Sequence, residues 1–306
     1  MHRNIQRLSE QLNSIIIGKE PQVKLAVVCL IAGGHLLIED LPGVGKTTLS
    51  HALAMSLGLK FTRVQFTSDL LPADITGISV FNRERQQFEF HPGPVFSQVL
   101  LADEINRATP KSQSALLEAM EEGQISADGV SHRLPLPFFV IATQNPSHQL
   151  GTHPLPESQL DRFLMRISLG YPDREAERAL LKGDDRRTLM NTMGTAMSLD
   201  AFLTLQQQTG RIFVSDKLVD YILTLAAATR HSGLFAEGMS PRASLALVQA
   251  ARAWALTEGR DHVLPEDVQA VFIPVVAHRL RVANTSQGRT ETSATLLRKI
   301  LQETAV

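Results

Sequence analysis

The first 170 positions carry five short runs of almost unbroken apolar residues, at 35–39, 63–66, 98–102, 138–143 and 164–168. Between them apolar positions recur at helical spacing, over 47–57, 110–121 and 157–162. Strands without a polar face, separated by helices, predict a parallel sheet covered on both sides. Thr109-Pro110-Lys111-Ser112 is a good helix start, with Thr as cap and Pro at the first position, and Leu116, Leu117 and Met120 follow as its core face. Beyond Tyr171-Pro172 the strand-like runs stop. Amphipathic patterns over 173–182, 199–208, 216–230 and 241–257, with a fifth over 265–279, predict helices, and the polar stretch 182–198 reads as a loop or hinge. The expected organisation is an α/β domain over 1–170 followed by a smaller all-helical domain over 171–306.

Composition narrows the class. The chain has 306 residues, 43% of them hydrophobic and 20% charged, which is ample for a globular core. A formal net charge of −1 gives no overall attraction to nucleic acid or to an anionic membrane, although it allows local basic grooves. The single cysteine, Cys29, excludes an intrachain disulfide framework and sits in an apolar run as a small hydrophobe. The first residues contain no apolar signal region, and the longest apolar stretch, 25–34, is too short to span a bilayer. These features lead us to expect a soluble, cytoplasmic protein with no membrane segment and no direct nucleic-acid contact.

The candidate chemistry begins where the first strand ends. Leu37-Ile38-Glu39-Asp40 runs into Leu41-Pro42-Gly43-Val44-Gly45-Lys46-Thr47-Thr48, a glycine-rich turn that opens a helix. Such a turn aims backbone N–H groups at a phosphate, and the helix N-terminus adds partial positive charge. Lys46 would reach the β and γ phosphates and the Thr47 hydroxyl would coordinate Mg²⁺. Asp40 stands where the phosphate-loop pattern expects its first glycine, and the expectation is that Asp tolerates a left-handed turn there. The strand 98–102 ends in Asp103-Glu104. Ligands of parallel sheets sit at the carboxyl ends of the strands, so Asp103 would complete the Mg²⁺ shell beside Thr47. Glu104 would orient the attacking water. The strand 138–143 ends at Gln144-Asn145-Pro146, where Asn145 would sense the γ-phosphate; the alternative is a turn Asn before Pro, and its place in the order of motifs favours the first. Arg162, within Leu160-Asp161-Arg162-Phe163, would point across a subunit interface as an arginine finger, with Arg166 as a rival and a surface salt bridge as the alternative. Arg242 lies on the first turn of a helix opened by Ser240-Pro241, where the dipole disfavours a cation, so its position suggests a job elsewhere, a second phosphate-sensing cation.

In this order the motifs resemble the AAA+ ATPase superfamily, and several strings resemble its MoxR branch, related to the magnesium-chelatase ATPase subunit. They are Glu39-Asp40-Leu41-Pro42-Gly43-Val44-Gly45-Lys46-Thr47, Asp103-Glu104-Ile105-Asn106-Arg107-Ala108, Ala142-Thr143-Gln144-Asn145-Pro146 and Pro156-Glu157-Ser158-Gln159-Leu160-Asp161-Arg162-Phe163. The resemblance covers about 15–279. It implies a phosphate-loop AAA+ parallel-sheet core with inserted β-hairpins and an all-α lid, binding ATP and Mg²⁺. Two hairpins fit: 78–81 with 88–91 around 82–85, and 124–127 with 131–134 around Asp128-Gly129, a strong hairpin signal. In relatives such hairpins face the ring's central pore or a partner; the alternative for this chain is a pair of ordinary surface hairpins. The segment Ile16-Ile17-Gly18 resembles the one that packs against adenine. The resemblance further implies a homo-oligomer, a hexameric ring, acting as a chaperone-like remodelling motor on partner proteins. Von Willebrand factor A domain proteins are among such partners, and no such domain fits in this chain.

The expected function is therefore Mg²⁺-dependent ATP hydrolysis at subunit interfaces, with Arg242 coupled to the nucleotide of its own or of the neighbouring subunit. A nucleic-acid motor would share every ATP-site residue, with only the near-neutral charge against it. A non-hydrolysing nucleotide-gated scaffold would have no use for Glu104. Transfer to a small acceptor fits Asn145, Arg162 and the helical lid least well.

Overall fold

A computed structural model describes residues 2–145, 151–183, 186–283 and 291–305. Pro146, which ends one of the quoted strings, lies outside the described residues, as do 184–185 of the expected loop. The chain opens with two helices that apolar periodicity had not singled out, α1 (His2–Ile15) and α2 (Glu20–Ile31). Then come β1 (His35–Glu39), α3 (Lys46–Ser56), β2 (Phe61–Gln65) and α4 (Pro72–Thr76). The hairpin β3 (Gly77–Asn82) and β4 (Gln87–Pro92) precedes β5 (Val99–Asp103) and α5 (Pro110–Glu122). A second hairpin, β6 (Gln124–Ala127) with β7 (Val130–Arg133), leads to β8 (Phe139–Gln144), α6 (Glu157–Leu160) and β9 (Phe163–Ile167). Helices complete the described chain: α7 (Arg174–Lys182), α8 (Arg186–Asn191), α9 (Leu199–Thr209), α10 (Asp216–His231), α11 (Pro241–Thr257), α12 (Pro265–Val276) and α13 (Ser293–Glu303).

The five expected strands form one parallel sheet in the order β2-β5-β8-β1-β9. Register decides what meets at its carboxyl edge. Gln65 pairs with Asp103, Ala102 with Ala142 and Glu39 with Gln144, so the ends of four strands lie within one residue of each other. Alternation along the strands supplies two cores. Leu36, Ile38, Leu101, Ile141 and Met165 face α1 to α3 and the late helices, whereas Leu37, Leu100, Val140 and Phe163 face α5 and the hairpin side. Thr109 caps α5 as expected, its side chain accepting from the Ser112 N–H, and Gly123 at φ +62° ends the helix.

Three boundaries differ from expectation. The segment 182–198 is not all loop: α8 lies within it, because Met190, Ala196 and Met197 are buried against the first helices and the Ala196 N–H bonds the Ser56 carbonyl at 2.7 Å. The helix expected over 157–162 is the single turn α6, with Arg162 beyond its end. The helix expected over 265–279 stops at Val276 and tightens into a 3₁₀ turn over Ala277–Arg279. Both hairpins form as expected, and Phe90 of the first stacks on His132 of the second at 4.1 Å between ring centres. Among the described residues no helix is long and apolar enough to cross a membrane.

Candidate active site

Gly43 and Gly45 hold φ +85° and +96°, conformations that suit glycine, and an added Cβ on either would meet nothing within 4 Å. The loop they shape is thus open on the side that faces a cleft of about 640 Å³. Pro42, Gly43, Gly45, Lys46, Thr47, Thr48, Asp103, Glu104 and Asn145 line that cleft together. Val44 instead turns away and packs against the main hydrophobic cluster. Lys46 Nζ donates to the carbonyls of Asp40 (2.7 Å) and Leu41 (3.1 Å) and to Asn145 Oδ1 (3.3 Å). Burial pulls its pKa below the ordinary lysine value, and the charges of Asp40, Asp103 and Glu104 oppose that shift.

Asp40 takes no left-handed conformation, contrary to expectation. Its carboxylate instead ties the loop to the sheet. Oδ1 accepts from the Leu41 N–H at 2.9 Å, while Oδ2 accepts from Gly170 N–H at 2.6 Å and Ser168 Oγ at 3.0 Å. A side chain with two acceptors does here what a glycine could not.

Glu104 is the residue with the unusual backbone. It sits at φ 57°, ψ 49°, left-handed for a non-glycine, a conformation that costs about 1–2 kcal/mol. Strand β8 supports the turn: Glu104 N–H donates to Thr143 Oγ1 (2.8 Å), which donates to Asp103 Oδ1 (2.6 Å). The turn throws the Glu104 carboxylate into the cleft, where three neighbours hold it. Asn145 Nδ2 donates to Oε1 at 3.0 Å and Gln65 Nε2 to Oε2 at 2.9 Å, while Arg107 Nε lies 3.1 Å from Oε2. Arg63 Nη2 pairs with Asp103 Oδ2 at 2.7 Å. Sequence reasoning missed Arg63, Gln65, Arg107 and Thr143. Gln65 and Arg63 become visible only through the β2–β5 register, whereas Thr143 and Arg107 already stood inside quoted strings.

The donor set suits Mg²⁺. Thr47 and Asp103 offer hard oxygens, and among the described residues no group of three or more His, Cys, Asp and Glu could cage a metal alone. Mg²⁺ ordinarily takes one or two protein oxygens and fills its octahedron with phosphate and water.

Ile17 and Gly18 do not line the cleft. Gly18, at φ +69°, sits so close to Ala176 that an added Cβ would lie 2.6 Å from the Ala176 Cβ. Arg162 and Arg242 also stand apart from the cleft. They line a separate cavity of about 190 Å³ with Met120, Glu121 and Asp161. Arg162 Nη1 lies 2.6 Å from Glu121 Oε2, and Arg242 Nη2 lies 3.0 Å from Glu121 Oε1. Asp161 joins them, 3.5 Å from Arg242 Nη1, and is fixed by the buried Arg279 at 2.7 Å. The rival Arg166 is paired along the sheet with Glu39 at 2.8 Å.

A parallel sheet in this order, a glycine loop opening a helix, and acidic and amide strand ends converging beside it define the architecture of the AAA class of ATPases. The profile of the ATPase family associated with various cellular activities (AAA) matches residues 35–165, and that of the AAA lid domain matches 227–300. The protein YeaC of Bacillus subtilis is 40% identical over 306 residues, covering 100% of this chain and 96% of its own length. Chaperone MoxR1 of Mycobacterium tuberculosis is 39% identical over 318 residues, covering 99% of this chain and 82% of its own. The crystal structure of a candidate ATPase from Cytophaga hutchinsonii superposes with a TM-score of 0.89 at 34% identity, over 99% of this chain and 95% of that one. The chain belongs to the MoxR family of AAA+ ATPases.

Proposed function

We propose that this protein hydrolyses ATP as a subunit of a homo-oligomeric ring, a hexamer, and uses the cycle to remodel partner proteins in the cytoplasm. One observation carries the reading. Lys46, Thr47, Asp103, Glu104 and Asn145 converge on one cleft, while the two arginines suited to a phosphoryl group, Arg162 and Arg242, do not line it. Arg63 and Arg107 do line the cleft but are engaged by Asp103 and Glu104, so a reaction that uses Arg162 and Arg242 calls for a second subunit to deliver them.

Lys46 and the loop amides would hold the phosphates, and Ile17 and Gly18 would lie on the adenine side. Thr47 and Asp103 would hold Mg²⁺, which supplies neutralisation of phosphate charge when bound. Arg63 would first have to leave Asp103 Oδ2. Glu104 accepts hydrogen bonds from Asn145 and Gln65 through both oxygens, so its carboxylate is acceptor-only and aimed. It would polarise the attacking water and take its proton, with Asn145 registering the γ-phosphate beside Lys46. The nucleotide domain is taken as 1–170 and the lid as 171–306. The exposed apolar side chains Ile78, Val80 and Phe88 on the first hairpin support a protein partner, for which a von Willebrand factor A domain protein is the candidate. The name of the Mycobacterium tuberculosis relative, a chaperone, is compatible with that role.

The test is the ATPase rate per subunit across protein concentration, with particle mass recorded at each point. Specific activity should rise as the ring forms. A rate already maximal for the monomer would remove the interface reading and leave a self-contained ATPase.

A further inference from the structure

Glu121 lies in the last turn of α5, the end of a helix where the dipole disfavours a carboxylate. Arg242 is the second residue of α11, the end where the dipole disfavours a cation. These two locally unfavourable residues meet, at 3.0 Å. The other carboxylate oxygen of Glu121 is given to Arg162, at 2.6 Å. Arg162 Nη1 is also anchored by the Leu117 carbonyl one turn back on the same helix.

The side chains involved keep access to solvent: Arg242 is 59% exposed, Glu121 37% and Arg162 27%. Ion pairs so exposed add little to folding stability, with a median near 0–1 kcal/mol. Stability therefore does not account for a carboxylate divided between two cations from separate parts of the chain. Two guanidinium groups this close repel each other, and the shared carboxylate is what holds them together. Among the described residues, Nε and Nη2 of Arg162 donate no hydrogen bond, which leaves them available to an anion.

We infer that Glu121 is a positioning residue that gathers Arg162 and Arg242 into one two-pronged cation presented to the nucleotide phosphates of a neighbouring subunit. The inference rests on the interface reading proposed above and assigns Arg242, like Arg162, to the neighbour's nucleotide. It also links the two parts of the chain. Arg242 rides on α11 and Arg162 on the edge of the sheet, so a shift of α11 reaches Arg162 through one carboxylate. Asp161, held by Arg279 from the turn after α12, gives Arg242 its second anchor.

The test compares full-length E121A, E121Q and E121D with wild type at concentrations where rings are seen by mass. ATP binding is followed with a fluorescent ATP analogue, and turnover by phosphate release. E121A and E121Q should lower kcat by about tenfold or more while KM stays within about twofold, because misplacement by an ångström is enough to cost on that order. E121D, which keeps the charge, should recover part of the loss. Mixed rings then separate this from a damaged fold. E121A subunits retain their own ATP cleft, so co-assembly with K46A subunits, whose arginines are intact, should restore turnover. R162A mixed with K46A is the control for the interface itself. Rescue of R162A together with wild-type turnover in E121A and E121Q would overturn the role of Glu121 alone. Raised turnover in E121A would overturn it too, by showing that the carboxylate competes with phosphate for the arginines. Loss in E121A that K46A subunits do not restore, where R162A is restored, would reduce Glu121 to a structural role. No rescue of R162A would remove the interface reading itself.

Discussion

Lys46 and Glu104 are held by hydrogen bonds that only a folded sheet edge can supply. Lys46 reaches Asn145 just beyond β8, and Glu104 reaches Asn145 and also Gln65 on β2. Both were legible from local strings, since a lysine after Gly-x-Gly and a carboxylate after an apolar run announce their chemistry by spacing. Gln65, Arg63 and the task of Asp40 were not, because each depends on a partner that lies 39 or more residues away in the chain. At this scale the expectation is that Glu104→Gln binds ATP with near-normal affinity but loses about 10²-fold or more in turnover, the usual loss on removing a general base. Parallel binding and single-turnover measurements decide it. Near-normal turnover would take Glu104 out of water activation.

Elements are joined by side chains that no periodicity reveals. His35, first residue of β1, accepts the Val140 N–H of β8 on Nδ1 at 3.0 Å and places Nε2 3.3 Å from the Met120 carbonyl of α5. One ring thus ties two strands and a helix, which requires it neutral, with the proton on Nε2. Burial pushes its pKa down from 6.5 to about 4, partly offset by the Met120 carbonyl. The sign follows from linkage. The folded pKa lies below the unfolded one, so the unfolded chain binds the extra proton between pH 6.5 and 4. The contribution of His35 is complete above about pH 6.5 and is lost as pH falls through 4, to about 3 kcal/mol for this group. Urea midpoints at pH 7 and pH 5 should therefore differ less in His35→Gln than in wild type. An equal difference would mean that the ring does not titrate this way. Element boundaries were read well where caps are local, as at Thr109 and Ser240. They were misread where burial decides, as at α8, whose neighbours Ala196 and Met197 are covered by the first helices.

Over the whole molecule the larger hydrophobic cluster is continuous. It takes in α1 to α3, one face of the sheet, and α9 to α13, crossing the expected boundary near 170. Gln206 and Gln249 also donate to the carbonyls of Leu30 and Ala32 at the end of α2. A shared core of this kind couples the unfolding of its parts. Calorimetry of the nucleotide-free chain should accordingly show one cooperative transition, moved upward by ATP at 100 times its Kd by an amount equivalent to about 2.7 kcal/mol. Two well-separated transitions would show that the halves of the chain are independent units.

The five core strands, the helices expected over 110–121, 199–208, 216–230 and 241–257, the phosphate loop, and the Asp103-Glu104 and Asn145 strand ends were decided by sequence. Each is a local pattern of apolar spacing or a short string whose chemistry needs only its neighbours. The tertiary structure alone decided which side chains face each other across the sheet edge. It set the Gln65 and Arg63 contacts through β2–β5 register, gave Asp40 its partners on the segment after β9, and brought Glu121, Arg162 and Arg242 to one point. Such meetings depend on how the chain folds back on itself, and residues 39 to 130 positions apart carry no local mark of their contact.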